Sequence, residues 1–329
     1  MNLSVIIPAY NCTATLRECL EACLNQDYPA HEIIVVDDGS TDDTRKVAQS
    51  VQGIKVVWQE NAGPAAARNR GAEEATGDVY VMTDSDCVPA PDWLGEIYES
   101  LTVHEDWVAV GGTYIIANPD SSLASIIQAE IDVRHRRFKE EVDFLGSFNV
   151  AYRKEAFDAV GGFDTSYPCA SAEDNDLAYR LQDTGGILGF NMEAKVAHYH
   201  PEKTWAYLKT QFGHGYWRMK LYKDHKNRSK GDQYASFAEL LSIPFALTLT
   251  VLIVPALMAY FFAPILFWIY MVGLFMQSFV HFKMQQTLGD EHGFKISLLY
   301  GQLVVFRDYA RAWGMAKGII HFHLLGRST

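Results

Sequence analysis

Two aspartates, Asp84 and Asp86, stand two residues apart directly after the apolar run Val79 to Thr83. The run predicts a buried parallel strand, and an extended backbone beyond it would point both carboxylates the same way. Oxygen ligands so placed suit a hard divalent cation that also binds phosphates. Asp and Ser also favour helix N-caps, so Asp84-Ser85-Asp86 indicates a cation site only in combination with other residues.

Polar residues with binding chemistry also follow three earlier apolar runs. Tyr10, after the first run, offers a flat face on which a nucleobase can stack. Asp38, after the second, can accept a hydrogen bond from a base N–H, and Arg68 lies one turn into a helix start that contains Gly63. Turns and helix caps explain each loop alone, but their succession predicts one ligand site.

The elements that hold these loops alternate regularly. Four short β-rich runs alternate with three segments whose apolar residues recur at helical spacing, such as Leu16, Cys19, Leu20 and Cys23. This alternation with short connections predicts a parallel sheet with helices on both faces. The carboxyl ends of its strands then form the expected ligand edge. The predicted strands are Leu3 to Ile7, Ile33 to Val36, Ile54 to Trp58 and Tyr80 to Thr83, and the predicted helices are Leu16 to Leu24, Thr41 to Val51 and Ala65 to Ala75.

Composition excludes several classes of protein. The net charge of -12 over 329 residues argues against a nucleic-acid binder. Five cysteines without a C-x-x-C pair suggest neither a disulfide framework nor a zinc site, so a reduced compartment is expected. No G-x-G-x-x-G follows the first strand and no phosphate-binding P-loop motif occurs, which excludes a dehydrogenase and a P-loop kinase. The apolar run Val5 to Ile7 is too short for a signal peptide.

Taken in order, four of these segments resemble the motifs of family 2 glycosyltransferases with the GT-A fold, over about the first two-thirds of the chain. They are Val5 to Asn11, Val36 to Asp42, Gly63 to Gly71 and Thr83 to Asp86. The resemblance implies transfer of a sugar from a nucleotide-sugar, most often a UDP-sugar, with inversion at the anomeric carbon. It implies the following nucleotide-sugar-binding residues: Pro8, Ala9, Tyr10, Asp38, Arg68, Asp84, Ser85 and Asp86.

The same resemblance implies a general base. An inverting displacement needs a carboxylate to take the proton of the acceptor hydroxyl. Asp174 matches the Asp of the family's E-D motif, with Glu173 as its partner and Asp176 as the fallback. Acidic residues in the first turn of a helix are also favoured by the helix dipole, so their position alone does not show a catalytic function.

The metal and acceptor sites follow from the resemblance as well. A divalent cation, Mn²⁺ or Mg²⁺, would neutralise the leaving nucleoside diphosphate. Asp86 is the expected direct ligand and Asp84 lies nearer the ribose or the metal, while His198 is the expected third ligand and His200 the alternative or a diphosphate contact. Acceptor-side residues are expected at Asn149, Trp217 and Arg218. The segment Gln211 to Arg218 lacks the Q-x-x-R-W signature, so processive polymerisation is not expected.

The C-terminal part differs in composition. Phe237 to Phe282 is almost wholly apolar, which fits two membrane-spanning helices joined near Ala263-Pro264. Basic residues on both sides place both ends, and the catalytic domain, in the cytoplasm by the positive-inside rule. They are Lys220, Lys223, Lys226, Arg228 and Lys230 before the run and Lys283 after it. In Phe294 to Ile320 the charges of Arg307, Asp308, Arg311 and Lys317 interrupt the apolar residues, which predicts an amphipathic helix on the inner leaflet.

The predicted organisation is an α/β GT-A catalytic domain at 1–232, with a mostly parallel sheet, followed by a transmembrane hairpin at 233–286 and an interfacial helix and tail at 287–329. Residues 1–115 form the nucleotide-sugar half and 116–232 the acceptor half. The predicted function is a multi-pass enzyme of the cytoplasmic membrane that glycosylates a lipid-linked or polysaccharide acceptor in cell-surface polysaccharide or glycolipid synthesis. Membrane lipids are expected as further partners, and nucleic-acid binding is not expected. The alternatives are a polyprenyl-phosphate glycosyl synthase and an inactive, nucleotide-sugar-binding membrane scaffold.

Overall fold

Eight strands form one sheet in the computed structural model, which describes residues 1–228, 237–262 and 264–326. Strands β1 to β8 span Leu3–Ala9, Glu32–Asp38, Lys55–Gln59, Val79–Thr83, Cys87–Pro89, Trp107–Ile116, Asn149–Arg153 and Ile187–His198. Helices α1 to α12 span Leu16–Leu24, Thr44–Ser50, Pro64–Glu74, Trp93–Val103, Ser122–His135, Lys154–Ala159, Glu173–Asp183, Thr204–Asp224, Phe237–Phe262, Pro264–Phe279, Phe282–His292 and Phe294–Gly318. A 3-10 turn follows at Lys226–Arg228 and a π-helical turn at Ile319–Leu324.

The predicted alternation of strands and helices in the first 83 residues is confirmed. Strands β3, β2, β1 and β4 are neighbours in that order, and all three pairs are parallel. Successive residues of β1 point to opposite faces of the sheet. Val5 and Ile7 therefore pack with Leu16 and Cys19 of α1, whereas Ile6 packs with the alanines of α3 on the other face.

The second half of the sheet is mixed, so the predicted parallel arrangement holds mainly in the first half. β7 lies antiparallel between β4 and β6, and β5 pairs antiparallel with β8. Four of the seven strand pairs in the described residues are parallel: β1–β2, β1–β4, β2–β3 and β6–β8. Whether a strand in this half runs parallel or antiparallel depends on its pairing with a distant segment of the chain. Local apolar patterns do not encode such pairings.

The chain divides into two compact units. The first comprises 1–119 and 135–200, and the second comprises 120–134 and 201–328. Helix α5 belongs to the second unit up to Arg134, because Ile126, Ala129 and Val133 pack with residues of α11 and α12. Helix α8 also belongs to the second unit. The site residues of the first unit are thus held by the sheet and α1 to α4, α6 and α7.

Glycines bring α8 and α12 into backbone contact in the second unit. A Cβ atom on Gly314 would lie 2.0 Å from the carbonyl oxygen of Phe212, and one on Gly318 would lie 2.6 Å from that of Tyr216. A Cβ on Gly215 would lie 2.1 Å from the carbonyl oxygen of Arg311. Small residues four apart allow this close approach, as in G-x-x-x-G helix pairs.

Gly314→Ala should therefore destabilise the second unit by about 1 to 3 kcal/mol, because the two helix backbones must separate to admit the methyl group. Gly213→Ala, on the same helix pair, is the matched control, since nothing lies within 4 Å of its Cβ position. That substitution should stabilise α8 by about 1 kcal/mol through helix propensity. Thermal unfolding followed by tryptophan fluorescence measures both; equal melting temperatures for the two variants would contradict the close contact.

The charges of α12 are buried, which changes the interpretation of this helix. Glu130 of α5 accepts hydrogen bonds from Arg307, Arg134 and the Tyr300 hydroxyl. Burial raises the pKa of Glu130, but the charges of Arg307 and Arg134 lower it by a larger amount. The pKa of Glu130 therefore lies below its ordinary value.

Asp308 of the same helix accepts from His281 and Gln277, at 2.8 and 2.9 Å. Arg307 and Asp308 therefore do not form a solvent-facing polar stripe. They join α12 to α5 and α10, while Phe306 and Trp313 of α12 are exposed.

In the described part of the C-terminal region, no single helix has both the length and the apolar composition to cross a membrane. The segments Pro264–Gln277 and Phe282–His292 meet those criteria together, with a 46° bend between them. Lys230, the predicted junction residue Ala263 and the tail from Arg327 onward lie outside the described residues.

Candidate active site

The loops after β1 and β2 are joined by hydrogen bonds. Asn11 Oδ1 accepts from the Thr41 backbone N–H at 2.8 Å, and the Asn11 N–H donates to the Ser40 hydroxyl at 3.1 Å. Asn11 has φ of 49°, a conformation that Asn tolerates better than most residues. Tyr10 is 52% exposed beside them, so its ring face is accessible, as stacking on a base requires. Its neighbours Pro8 and Ala9 belong to β1, with Ala9 buried.

Asp38 organises the loop after β3. Its carboxylate accepts hydrogen bonds from the Gln59 and Asn61 side chains and from the backbone N–H groups of Ala62 and Gly63. A carboxylate offers about four positions for accepting hydrogen bonds, and these four bonds occupy all of them. The predicted bond to a base N–H would have to replace one of them. Gly63, at φ of 91°, then leads into Pro64 at the first turn of α3.

The side chains of Asp84 and Asp86 have different partners, so the expectation that both carboxylates point the same way is wrong. Strand β4 ends at Thr83, and the Cys87 N–H donates to the Asp84 carbonyl at 3.0 Å, closing a turn. An extended backbone would have kept the side chains parallel, whereas a turn sends them apart. Asp84 meets Arg68, and Asp86 lies beside His198.

Arg68 connects the strand end to helix α7. Its side chain is 1% exposed, with Nη2 2.7 Å from Asp84 and Nη1 3.3 Å from Glu173. Burial lowers the pKa of Arg68, but the charges of Asp84, Glu173 and Asp174 raise it more, so the guanidinium stays charged. The predicted nucleotide-contacting arginine therefore holds the D-x-D and E-D segments in one site.

The three acidic residues of α7 have different surroundings. Glu173 is buried and also accepts from the Ser171 N–H, and burial together with the Asp174 charge raises the pKa of Glu173 to about 8. Asp176 is buried and forms an ion pair with Arg180, whose Nε and Nη2 lie 2.8 and 2.7 Å from Asp176 Oδ2. Asp174 is partly exposed. Asp174, the predicted base, is thus partly exposed, whereas Asp176, the fallback, is buried in an ion pair with Arg180.

A left-handed residue starts α7. Ala172 has φ of 74° and is buried directly before Glu173. An L-residue with a side chain is disfavoured there by about 1 to 2 kcal/mol. Strain of this kind is found where a surrounding structure fixes a functional segment.

Ala172→Gly should stabilise the first unit by about 1 kcal/mol, because glycine adopts positive φ without the steric cost. Ala178→Gly, inside the same helix, is the control and should destabilise by about 1 kcal/mol. Urea denaturation gives both free energies of unfolding. A lower free energy for Ala172→Gly would show that the methyl group contributes packing rather than strain.

Asp86, Cys87 and His198 bring potential metal-ligand atoms together. One ligand atom from each lies within 4.8 Å of the others, and His198 Nε2 is 3.6 Å from Asp86 Oδ1. Strand pairing sets this arrangement, because Cys87 of β5 is the partner of His198 at the end of β8. The Asp86 side chain is 44% exposed, so an ion has access to it. A carboxylate oxygen and an imidazole nitrogen at this distance fit a divalent cation of the Mn²⁺ type.

His200 lies behind His198 rather than among these ligand atoms. The two Nδ1 atoms are 3.0 Å apart, and His200 is 5% exposed. Burial and the neighbouring His198 lower the pKa of His200 to about 3, so its ring is neutral. This position disagrees with the predicted direct contact of His200 with metal or diphosphate.

Two of the three predicted acceptor-side residues, Asn149 and Trp217, are buried. Asn149 is 1% exposed, donates to the carbonyls of Thr113 and Ala194 and accepts from Trp93 Nε1. It therefore positions β7 within the sheet. Trp217 and Arg218 belong to α8 of the second unit, where Trp217 is buried and packs on Phe322. Asn149 and Trp217 are thus buried packing residues, whereas Arg218 is partly exposed, and its acceptor contact stays a prediction.

Two residues at this edge, Cys87 and Asn118, were not predicted from the sequence. Cys87 directly follows Asp86, so its position was a usable signal for the thiol beside the cation site. Asn118 accepts from the His200 N–H and donates to its carbonyl, a contact across 82 residues that has no local signal. Ser85, which was predicted as a site residue, lies in the turn between β4 and β5.

Comparison with known proteins shows which family and which fold this chain resembles. A family model described as Glycosyl transferase family 2 matches residues 4–161. A mannosyltransferase from Pyrobaculum calidifontis, solved with GDP-Man and Mn²⁺, has a similar fold, with a TM-score of 0.55, 22% identity and coverage of 85% of this chain and 84% of the other.

Sequence relatives agree with this assignment. The glucosyl-dolichyl phosphate glucuronosyltransferase of Haloferax volcanii is 28% identical over 66% of this chain and 76% of its own length. The probable glycosyltransferase YdaM of Bacillus subtilis is 30% identical over 65% of this chain, which spans 54% of that protein. Glycosyltransferase GlyA of Streptococcus pneumoniae is matched over 17% of its length. Residues 4–161 thus match the family 2 glycosyltransferases, and together with the relatives this match supports a transferase acting on a nucleotide-sugar.

Proposed function

We propose that this enzyme transfers a sugar, with inversion, from a nucleotide-sugar, most often a UDP-sugar in this family, to a membrane-associated, lipid-linked acceptor. The observation that carries the proposal is the contact of Arg68 with both Asp84 and Glu173. It brings the strand end that would bind the leaving group next to the helix that carries Asp174. Both parts of a displacement reaction then lie in one site.

In the proposed reaction, Asp174 takes the proton of the acceptor hydroxyl while that oxygen attacks the anomeric carbon. The bond from this carbon to the diphosphate breaks, and its electron pair goes to the leaving nucleoside diphosphate. Arg68 keeps Glu173 and the adjacent Asp174 in place at the start of α7. Asp86 and His198 would hold Mn²⁺ or Mg²⁺, which when bound supplies positive charge beside the leaving group.

Exposed apolar residues of the second unit support membrane association. Ile265, Trp268, Val272 and Met276 recur at helical spacing on α10, and each is more than half exposed. Large exposed apolar patches mark interaction surfaces, including membrane-binding ones. The basic residues before α9, which include Lys223 and Arg228, are also those expected beside the anionic inner leaflet. The proposed location is the cytoplasmic membrane, with the catalytic unit on the cytoplasmic side.

Replacing Ile265, Trp268 and Val272 with Asn should move the protein out of the membrane fraction, since each buried side chain contributes about 2 kcal/mol to partitioning. Replacing Trp58 and Val103, which are exposed in the first unit, is the control and should leave fractionation unchanged. Fractionation by ultracentrifugation without detergent makes the measurement. Retention of the triple variant in membranes would refute this contact surface. Truncation before Phe237 is a poorer test, because it removes the Arg307 partner of Glu130.

The donor and acceptor are tested together. Membranes containing the enzyme are incubated with a panel of labelled nucleotide-sugars, and the lipid extract is analysed by mass spectrometry. The expected product is one added sugar on a lipid-linked acceptor, absent with Asp174→Asn. A lipid monophosphate sugar would instead identify a polyprenyl-phosphate glycosyl synthase. Donor binding without any product across the panel would support an inactive scaffold.

A further inference from the structure

The close contact between His198 and His200 restricts where their protons lie. Their Nδ1 atoms are 3.0 Å apart, a hydrogen-bond distance. A hydrogen bond between two neutral imidazole nitrogens contains one proton, so one ring donates and the other accepts. If His198 donates through Nδ1, its Nε2 carries a lone pair. If His198 accepts, its Nε2 carries the proton instead.

The other side of His198 distinguishes these two arrangements. Its Nε2 lies 3.6 Å from Asp86 Oδ1, which is longer than a hydrogen bond. A proton on Nε2 would therefore gain no hydrogen bond from this carboxylate. A lone pair on Nε2 lies at a separation that a shared cation between the two ligand atoms can bridge. Metal-bound histidine needs this neutral form, and its other nitrogen donates to a second group.

His200 is held in a fixed position to accept that proton. Asn118 accepts from its backbone N–H at 3.0 Å and donates to its carbonyl at 2.8 Å. The Tyr114 ring packs against both imidazoles, with centroids 4.9 Å from His198 and 5.7 Å from His200. Only 5% of His200 is exposed, so water does not compete readily for its Nδ1. The backbone clamp and the ring contacts fix the ring that faces His198.

We infer that His200 is a positioning residue that accepts the Nδ1 proton of His198 and so directs the Nε2 lone pair of His198 toward a divalent cation shared with Asp86. This inference rests on the cation site of the proposed function. His200 acts through His198 and does not itself contact the cation. Its loss should weaken cation binding about 10 to 100-fold, the usual effect of removing a group that orients a metal-bound histidine.

The first test measures the tautomer directly in the full-length, metal-free protein. Long-range ¹H–¹⁵N correlation spectra of ¹⁵N-histidine-labelled protein distinguish protonated from unprotonated ring nitrogens, and loss of one signal set in His198→Gln assigns His198. The expected result is a proton on Nδ1 and none on Nε2. A proton on Nε2 would overturn the inference, whether or not the protein binds metal.

The second test measures Mn²⁺ affinity from the electron paramagnetic resonance signal of free Mn²⁺. His200→Phe keeps an aromatic ring but removes the acceptor, so the dissociation constant should rise about 10 to 100-fold. In His200→Gln the amide oxygen can accept from His198, so this variant should bind Mn²⁺ about as tightly as the wild type does. Wild-type affinity in His200→Phe would overturn the inference. If His200→Phe fails to fold, as judged by near-ultraviolet circular dichroism, Asn118→Ala replaces it, because that variant releases the clamp and keeps both rings.

These measurements also separate this inference from the proposed cation site. If Asp86→Ala and His198→Gln bind Mn²⁺ as tightly as the wild type does, the cation site is refuted. The tautomer measured in the metal-free protein then still decides whether His200 accepts from His198.

Discussion

Asp174→Asn is expected to lower the rate of sugar transfer by about 10²- to 10⁴-fold, the usual contribution of a general base. The amide cannot take the proton of the acceptor hydroxyl. Donor affinity should change little, because the contacts of Arg68 with Asp84 and Glu173 do not involve Asp174 directly. Single-turnover assays with labelled donor give the transfer rate, and equilibrium binding of the nucleoside diphosphate gives the affinity.

Asp176→Asn on the same helix is the matched comparison. Its carboxylate is buried and forked by Arg180, so the substitution should reduce stability and leave the transfer rate of the folded protein near that of the wild type. Because the Arg180 side chain is 26% exposed, the loss should be smaller than the cost of breaking a fully buried ion pair, which is about 3 to 5 kcal/mol. If Asp176→Asn abolished transfer in folded protein while Asp174→Asn remained active, the two assignments would have to be exchanged.

Asp86→Ala is expected to remove divalent-cation-dependent transfer. Of the two carboxylates in the D-x-D segment, Asp86 is the one beside His198, whereas Asp84 is engaged by Arg68. Removing a direct ligand should weaken Mn²⁺ binding at least as much as loss of a residue that orients a metal-bound histidine does, which is about 10 to 100-fold. Titration of activity and of Mn²⁺ binding against metal concentration measures both effects.

Two further substitutions control this prediction. Asp106→Asn removes an exposed carboxylate from the turn before β6 and should have no effect on metal dependence. Cys87→Ser tests the buried thiol beside Asp86 and His198. A hard cation prefers oxygen ligands to a thiol, so Mn²⁺ affinity should not fall. Full Mn²⁺-dependent activity in Asp86→Ala would exclude this residue as the metal ligand.

Much of the first half of the fold follows from local patterns. Strand β1, helix α1 and strand β2 were each predicted from short-range periodicity, and the structure confirms their type and order. The polar loops at one sheet edge followed from that order, because parallel strands end together. The antiparallel entry of β7 beside β4 was not predictable in this way, since the partners lie about 70 residues apart and pair through tertiary contacts.

The C-terminal region shows the same limit in another form. Charges at Arg307 and Asp308 were interpreted as a polar surface of an interfacial helix, because charged residues are usually exposed. In the structure Arg307 meets Glu130 across 177 residues, and Asp308 meets His281 and Gln277. A buried charge is acceptable when a distant partner neutralises it, and the sequence does not show which partner that is.

The sequence by itself determined the chemical types at the site: the two aspartates Asp84 and Asp86, the acidic pair Glu173 and Asp174, and the two histidines His198 and His200. It also determined that the strand end places the D-x-D segment at the ligand edge. Only the tertiary structure decided the division of tasks among them. A turn separates Asp84 from Asp86, Arg68 meets Glu173 across 105 residues, and burial places His200 behind His198. Residue type and local period are encoded over a few neighbours, whereas direction, burial and pairing are set by contacts between segments far apart in the chain.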